Sequence, residues 1–455
     1  MKKFYTLCAV ALALASANAQ EFVSPGNGTT YTMEALSKIA EAQVTNVDGA
    51  WQLNADFTIS AGDVLKIQNN EVVKFNDKIQ VNVEGTLDCT PADTALITGV
   101  EGTTPKGFRM YADDANAVLK NTRMEQVGIT FGSKNGAIVA ENCTFADYNT
   151  SNASGACLNF SASSTGKNVI DGCTFVNGGT AAIGNGANTP IGIVIKNSTF
   201  LANNTKNSNR PQINLTSYGT EDVEILDNVI IGGHFTKVGG IAVSNMMGYS
   251  YSNKVVVKGN LVKENRYGIT MTGPVNIFIE DNEIIDNIYE TNAMYGGSGL
   301  SLYDAAGKGK VFIKGNHIEN NLWGITVIGQ PNVNAGKVED PEAEDYNPGD
   351  NVFVNNGNGG VLYDLYNNGT TTVYAQGNVW NVDEQTQEKI ETVIFHKADD
   401  ANLGEVIFMP AGDPKTAIND VTVGSAAKAR KYVENGQIVI EAAGIKYNVA
   451  GQAIK

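Results

Sequence analysis

Little in this chain can carry acid–base or metal chemistry. Its 455 residues include 3 histidines. These are His234, His317 and His396, and the last two have no ligand-like partner nearby in sequence. No zinc-type spacing, phosphate-cradling glycine loop or serine–histidine triad occurs, which sets aside the usual metalloenzyme, nucleotide-binding and serine-hydrolase readings. Beyond the leader-like start, no apolar stretch is long enough to span a membrane. Basic residues are scarce as well. Lys and Arg total 32 against 48 Asp and Glu, a formal charge of −16. Such a chain repels nucleic acid and anionic polysaccharide at long range. Nucleic acid is therefore not an expected partner, although a local basic patch can override the net field.

What the chain does have begins with Lys2-Lys3, an apolar run from Phe4 to Ala15, and Ala17-Asn18-Ala19. That order reads as a secretory signal peptide over residues 1–19, cleaved near Ala19. Cys8 lies inside the apolar run and not at a lipobox, so no lipid anchor is expected. The mature chain is expected outside the cell or on its outer surface. Cys89, Cys143, Cys157 and Cys173 remain in it.

Through the middle of the chain one short phrase keeps returning: NTRM, NCTF, GCTF, NSTF, DNVI, GNLV, DNEI, GNHI, DNVF, GNVW. Aligned on its second letter, it puts Thr122, Cys143, Cys173 and Ser198 in one column. Asn228, Asn260, Asn282, Asn316, Asn351 and Asn378 continue that column. The shortest repeat, 21 residues from Thr122 to Cys143, leaves room for three short strands and three turns, and for no ordinary helix. The pattern predicts an all-β parallel β-helix. Within a repeat, such as Lys254–Thr272, apolar residues alternate with polar ones, the mark of strands with one buried face. The asparagine tolerates left-handed backbone and can turn a corner. Stacked ~4.8 Å apart, such side chains are expected to form a structural hydrogen-bond ladder inside the coil. Cys143 and Cys173 then fall on neighbouring rungs, within disulfide range, with two small buried thiols as the favoured alternative.

The segment 20–50 reads as an N-terminal cap. Thr32 can cap a short helix whose apolar face is Met33, Leu36, Ile39 and Ala40. Residues 51–411 read as the coil. From 412 to 455 the chain changes to a small β-meander, with Asn435-Gly436 as a two-residue hairpin turn.

The run from Trp51 to Val100, with Ala61-Gly62-Asp63, Val73-Lys74-Phe75 and Val83-Glu84-Gly85-Thr86-Leu87, resembles the opening of secreted right-handed β-helix proteins of the pectin-lyase-like superfamily. Val373–Trp380 and Leu403–Pro410 are similar to the closing rungs of such proteins in Bacteroidota, with Asn381 where a glycine usually follows the aromatic. The ending Lys446–Lys455 resembles a type IX secretion sorting tail, which would make that machinery a partner. The resemblance implies a fold and leaves the activity open, because the superfamily mixes lyases, hydrolases and non-catalytic surface proteins.

On the strands that open with Gly-Ile, the alternation puts Asn214, Thr270, Ser301 and Thr326 outward, followed by Ser244, Thr272 and Tyr303. Leu362 and Asp364 are read as the outward pair of a later strand, Asp364 being the only charge on the stripe. Insertions at 244–253, 303–310, 328–350 and 366–371 are expected to wall a groove over this sheet. Hydroxyls and amides can bind a glycan, but glycoside hydrolysis needs two facing carboxylates. Tyr267 and Trp323 can stack on a sugar ring or shield a turn. Counting six residues past the ladder places His234 and Arg266 on adjacent rungs with Lys237 close by, a candidate catalytic trio for a lyase. The alternative for them is exposed turn residues. The acidic loop Lys337–Asp345 offers oxygens to Ca²⁺ but no regular ligand spacing, so no metal or other cofactor is assigned. The leading reading is an exported, non-catalytic β-helix protein that contacts polysaccharide or a host or cell-surface glycan. The alternative is a lyase or glycoside hydrolase acting on an acidic polysaccharide.

Overall fold

The computed structural model describes residues 21–149 and 155–414, together with the backbone of four later strands. Three long sheets run side by side along the coil. Sheet A has 14 strands, from Phe22–Val23 to Ile394–Phe395. Sheet B has 14, from Thr30–Thr32 to Val406–Ile407, and sheet C has 13, from Val44–Val47 to Val352–Val354. The chain visits A, B and C in turn. Each strand pairs in parallel with its counterpart one rung on, save the antiparallel pair Val44–Val47 with Ala50–Leu53 at the start of sheet C. This is a parallel β-helix.

Alternation explains the sheets. In Val255–Lys258 of sheet B, Val255 and Val257 are buried while Lys258 is exposed. Strands of sheet C are mostly three residues long and insert one side chain each. In register these are Phe145, Phe175, Phe200, Ile230, Val262 and Ile284. The phenylalanine rings stack 4.7 and 4.9 Å apart, within the range where aromatic pairs add attraction beyond area burial.

The corner between sheets B and C holds the asparagine column, fully buried. Asn260, Asn282 and Asn316 each accept from both the backbone N–H and the Nδ2 of the asparagine one rung before, at 2.9–3.0 Å. The sharp corner itself is made differently from the sequence expectation. The left-handed residue is the one before each asparagine: Asp227, Gly259, Asp281, Gly315, Asp350 and Gly377 all have φ between 54° and 71°. Asp and Gly alternate there for a steric reason. A Cβ on Gly259 would lie 2.2 Å from Asp227 Oδ1, and one on Gly315 would lie 2.3 Å from Asp281 Oδ1. Asp227 and Asp281 thus each lean over a rung that has no side chain at this corner.

The coil starts earlier than the cap segment suggested, because Phe22–Val23 and Thr30–Thr32 already pair with the next rung. Thr32 Oγ1 accepts from Ala35 N–H at the start of helix Met33–Ile39, whose Met33 and Leu36 are buried. Ile39, at the rim of that face, is exposed. The first turn is gathered by the buried Asp63, whose carboxylate accepts from Ser24 Oγ at 2.6 Å and from the N–H groups of Gly26, Asn27, Gly28 and Thr29. Burial opposes the charge, but these donors outweigh it and hold the carboxyl below its usual range. Among the described residues Cys89, Cys143, Cys157 and Cys173 are buried free thiols.

Beyond residue 414, Arg430–Glu434, Gln437–Ala442, Ile445–Tyr447 and Ala453–Ile454 form a four-stranded antiparallel sheet. The leader at 1–19 and the Asn435-Gly436 turn lie outside the described residues.

Candidate functional site: the outer face of sheet A

Register along sheet A lines up one outward column over the length of the coil. It passes from Asn82 through Arg109, Thr130 and Asn159 to Gly184. Asn214, Ala242, Thr270, Ser301 and Thr326 follow, and Tyr366 and Phe395 end it. Thr270 Oγ1 donates to Ser301 O at 2.9 Å, and the Thr326 and Ser298 hydroxyls lie 3.0 Å apart. Tyr303, two residues past Ser301, is exposed. Ala242, although outward by alternation, is nearly covered.

Two placements near the end of the column differ from the sequence expectation. The segment holding Leu362 is not a sheet A strand; Gly357–Asn358 and Val361–Leu362 form a small antiparallel hairpin. The sheet strand is Leu365–Gly369. Asp364 is consequently buried, not outward. The insertion 328–350 also moves. Asn332–Asn334 is a sheet B strand, so the acidic stretch from Lys337 rises from the corner between B and C, away from the groove. Lys337 Nζ meets Asp345 there at 2.5 Å.

The four aromatics Trp323, Tyr363, Tyr366 and Phe395 form one contiguous cluster at the C-terminal end of the face. Trp323 lies 4.7 Å from both Tyr363 and Tyr366, and Tyr366 stacks on Phe395 at 4.6 Å. The rings are half-buried, and Trp323 Nε1 is anchored to Ala293 O at 2.8 Å. Burial, and after it Tyr363 and the carboxylates of Asp399 and Asp400, raise the Tyr366 hydroxyl above its ordinary value. Tyr267 is placed otherwise. Its ring packs where a Cβ of Gly239 would stand, and burial pushes its hydroxyl up to about 12.

The trio His234, Lys237 and Arg266 is not assembled around a common group. The turn from Ile231 to Ile241 is longer by four residues than the turn from Lys263 to Ile269 that follows it in register. Val238 O, not His234, therefore receives the Arg266 N–H. His234 stacks on Tyr289 at 4.0 Å, with Nε2 3.0 Å from Glu264 Oε2. Arg266 donates Nε to Tyr295 O at 2.9 Å and Nη1 to Asn209 Oδ1 at 2.6 Å. Lys237 is exposed.

Two features were not read from the sequence. A second ladder fills the corner between sheets C and A. Asn265, Asn287 and Asn321 bond onward to Asn287, Asn321 and Asn356 through both backbone N–H and Nδ2. The signal was an asparagine five residues past Ser198, Asn260, Asn282, Asn316 and Asn351 of the first ladder. It fades upstream, where Gly178 and Gly233 occupy that position and Tyr148 and Gln212 reach in to bridge Asn203 and Asn265. The other feature is a cleft of about 290 Å³ near the N-terminal end of sheet A, lined by Lys106, Arg109, Thr130, Asn149 and Asn159.

Among the described residues, Glu391, His396 and Asp399 group as metal ligands would. The hydrogen bonds argue against that use. His396 Nδ1 accepts the Val406 N–H at 2.8 Å, which puts the ring proton on Nε2, 2.8 Å from Glu391 Oε1. No ring lone pair remains for a cation, and the group locks the closing turn.

No family model matches the chain, nor does any curated protein. Among solved structures it is similar to a double mutant of the periplasmic alginate epimerase AlgG, at 11% identity, over 84% of this chain and 83% of that one, with a TM-score of 0.45. It is also similar to tailspike protein 3 of bacteriophage CBA120, at 12% identity, over 93% of this chain and 63% of that one, with a TM-score of 0.27. At such identities the likeness is one of fold.

Proposed function

We propose that this is an exported or surface-displayed β-helix protein that binds a polysaccharide chain along the outer face of sheet A without cleaving it. The observation that carries this reading is one straight column in which the hydroxyl run Thr270, Ser301 and Thr326 leads directly to Tyr366 and Phe395, with Trp323 and Tyr363 packed against Tyr366 from beside it. Sugar rings have apolar faces that stack on aromatics and hydroxyl edges that bond to Ser and Thr. A rigid sheet offers both without ordering a loop on binding, which lowers the entropic cost. Cleavage is disfavoured by what the column lacks. Its outward positions carry no carboxylate between Asn82 and Phe395, so no acid–base pair faces a glycosidic bond. His234 and Arg266 each turn to other partners.

Binding should be measured on an array of neutral and acidic glycans at roughly 0.15 M salt. Tyr366→Ala and Trp323→Ala are each expected to weaken binding about tenfold or more, ~1.4 kcal/mol. Retained binding in both variants would overturn the assignment. Unsaturated or shortened products from any polysaccharide would replace it with a lyase or hydrolase.

The export part of the reading rests on the leader and the tail. Deleting residues 429–455 is expected to leave the coil folded and the protein in the periplasm, as followed by cell fractionation. Surface delivery of the truncated chain would refute a sorting role.

A further inference from the structure

We propose that the cleft at Lys106 and Arg109 is a subsite for one anionic group, a carboxylate or a sulfate, carried by a glycan lying on sheet A. The inference rests on the glycan-binding reading above and adds the charge class of one position along the chain.

The cleft offers donors and no carboxylate. Its polar lining is the Lys106 ammonium, the Arg109 guanidinium, the Thr130 hydroxyl and the carboxamides of Asn149 and Asn159. Arg109 spends one Nη on Thr130 Oγ1. The rest of its planar fork stays available, and that fork matches the paired oxygens of a carboxylate or sulfate. Arg210 adds a third cation at the rim, reaching Gly155 O at 3.3 Å. Among the described residues none of the three has an acidic partner. Glu125, three residues before Gly128 of the lining, pairs with Arg123 at 2.5 Å. In a chain of net charge −16, three cations gathered at one concavity and left without counter-charges form a local reversal of the field. Concave walls of low dielectric strengthen such a field.

Position supports the same conclusion. Arg109, Thr130 and Asn159 are consecutive members of the column that ends with Tyr366 and Phe395. The next member, Gly184, is buried and carries no side chain, so no charged group follows Asn159 before Asn214. A volume near the ~300 Å³ lower bound of ligand clefts suits a single charged residue of a longer chain.

The test is calorimetric titration of the full-length mature protein with three oligosaccharides of equal length: a polyuronate, a sulfated galactan and a neutral glucan. At least one anionic probe should bind tenfold or more tighter than the neutral one at low salt, with an advantage that shrinks as salt rises. Arg109→Gln and Lys106→Gln should each remove most of that advantage. Lys38→Gln, on the capping helix, should not. Circular dichroism melts check that the variants remain folded, and the double variant Lys106→Gln/Arg210→Gln provides a second route should Arg109→Gln unfold. Preference for uronate or for sulfate identifies the source of the anion. Neutral binding that depends on Tyr366, without any anionic advantage, would overturn this inference and leave the glycan-binding reading standing. Absence of binding to all three probes would overturn both.

Discussion

Asn282→Leu should lower unfolding stability by about 3–5 kcal/mol, although leucine is close to asparagine in size and apolar. Asn282 Oδ1 accepts the backbone N–H of Asn260 at 3.0 Å and its Nδ2 at 2.9 Å. Its own Nδ2 donates to Val257 O and Asn316 Oδ1, both at 2.9 Å. Leucine satisfies none of these, and the site is shut off from water. The Asn260 N–H is then stranded, and its Nδ2 loses one of its acceptors. Each buried polar group without a partner costs ~1–3 kcal/mol. Asn282→Ser should cost less, because the column already uses a hydroxyl in this role: Ser198 Oγ accepts the Cys173 N–H at 3.0 Å. Hydrogen exchange should show the Asn260 amide losing protection in the leucine variant ahead of amides several rungs away, since rungs of a solenoid couple mainly to their neighbours. An unchanged melting temperature, or loss spread evenly over all rungs, would refute the ladder's energetic role.

The first ladder was legible because two constraints coincide at one dipeptide. The left-handed residue at this corner is Gly, Asn or Asp in every repeat, the types that bear that conformation most easily, and the residue after it must offer an acceptor to the rung below. Few sequences satisfy both by chance at a recurring spacing. The second ladder uses the same left-handed corner with looser residue choice, Ala202 and Glu264 standing before Asn203 and Asn265. Gly178 and Gly233 interrupt it, a tyrosine takes the asparagine's place at Tyr148, and Gln212 arrives from a position no fixed count would find. Counting also failed wherever a turn changed length. The four extra residues before Ile241 separated His234 from the register of Arg266. The hairpin at Gly357–Leu362 imitated a Gly-Ile strand closely enough to pull Asp364 outward on paper. Alternation within a strand is local and survives such insertions, which is why Asn214, Thr270, Ser301 and Thr326 were placed correctly relative to one another. The cationic cleft was missed for a different reason. Lys106 and Arg109 lie upstream of the repeats that carry the Gly-Ile signal, and nothing in their immediate sequence marks them as facing a groove.

Asp364→Asn should stabilise the protein at pH 8 relative to its effect at pH 5. The second ladder ends on this residue. Its Oδ1 lies 3.5 Å from Asn356 Nδ2, its Oδ2 accepts the Asn381 N–H at 2.8 Å, and among the described residues no cation is paired with it. Burial raises the carboxyl to about 7, against the weaker pull of those two donors. An unfolded aspartate titrates near ~3.9. Between these values the unfolded chain has released the proton and the folded chain still holds it. The folded state binds more protons, so stability falls as pH rises from about 4 to about 7 and levels off above that. A displacement of about three pH units corresponds to a loss of up to ~4 kcal/mol at pH 8. Asparagine carries no charge at either pH, and its carboxamide oxygen can keep the Asn381 N–H. Its amide would face Asn356 Nδ2 donor to donor, a modest cost that does not vary with pH. Denaturant melts of both proteins at pH 5 and pH 8 separate the two contributions. The stability difference between variant and parent should move in the variant's favour by a few kcal/mol from the lower pH to the higher. A difference that stays constant would mean that Asp364 is ionised in the folded state throughout, held by a partner other than Asn356 and Asn381.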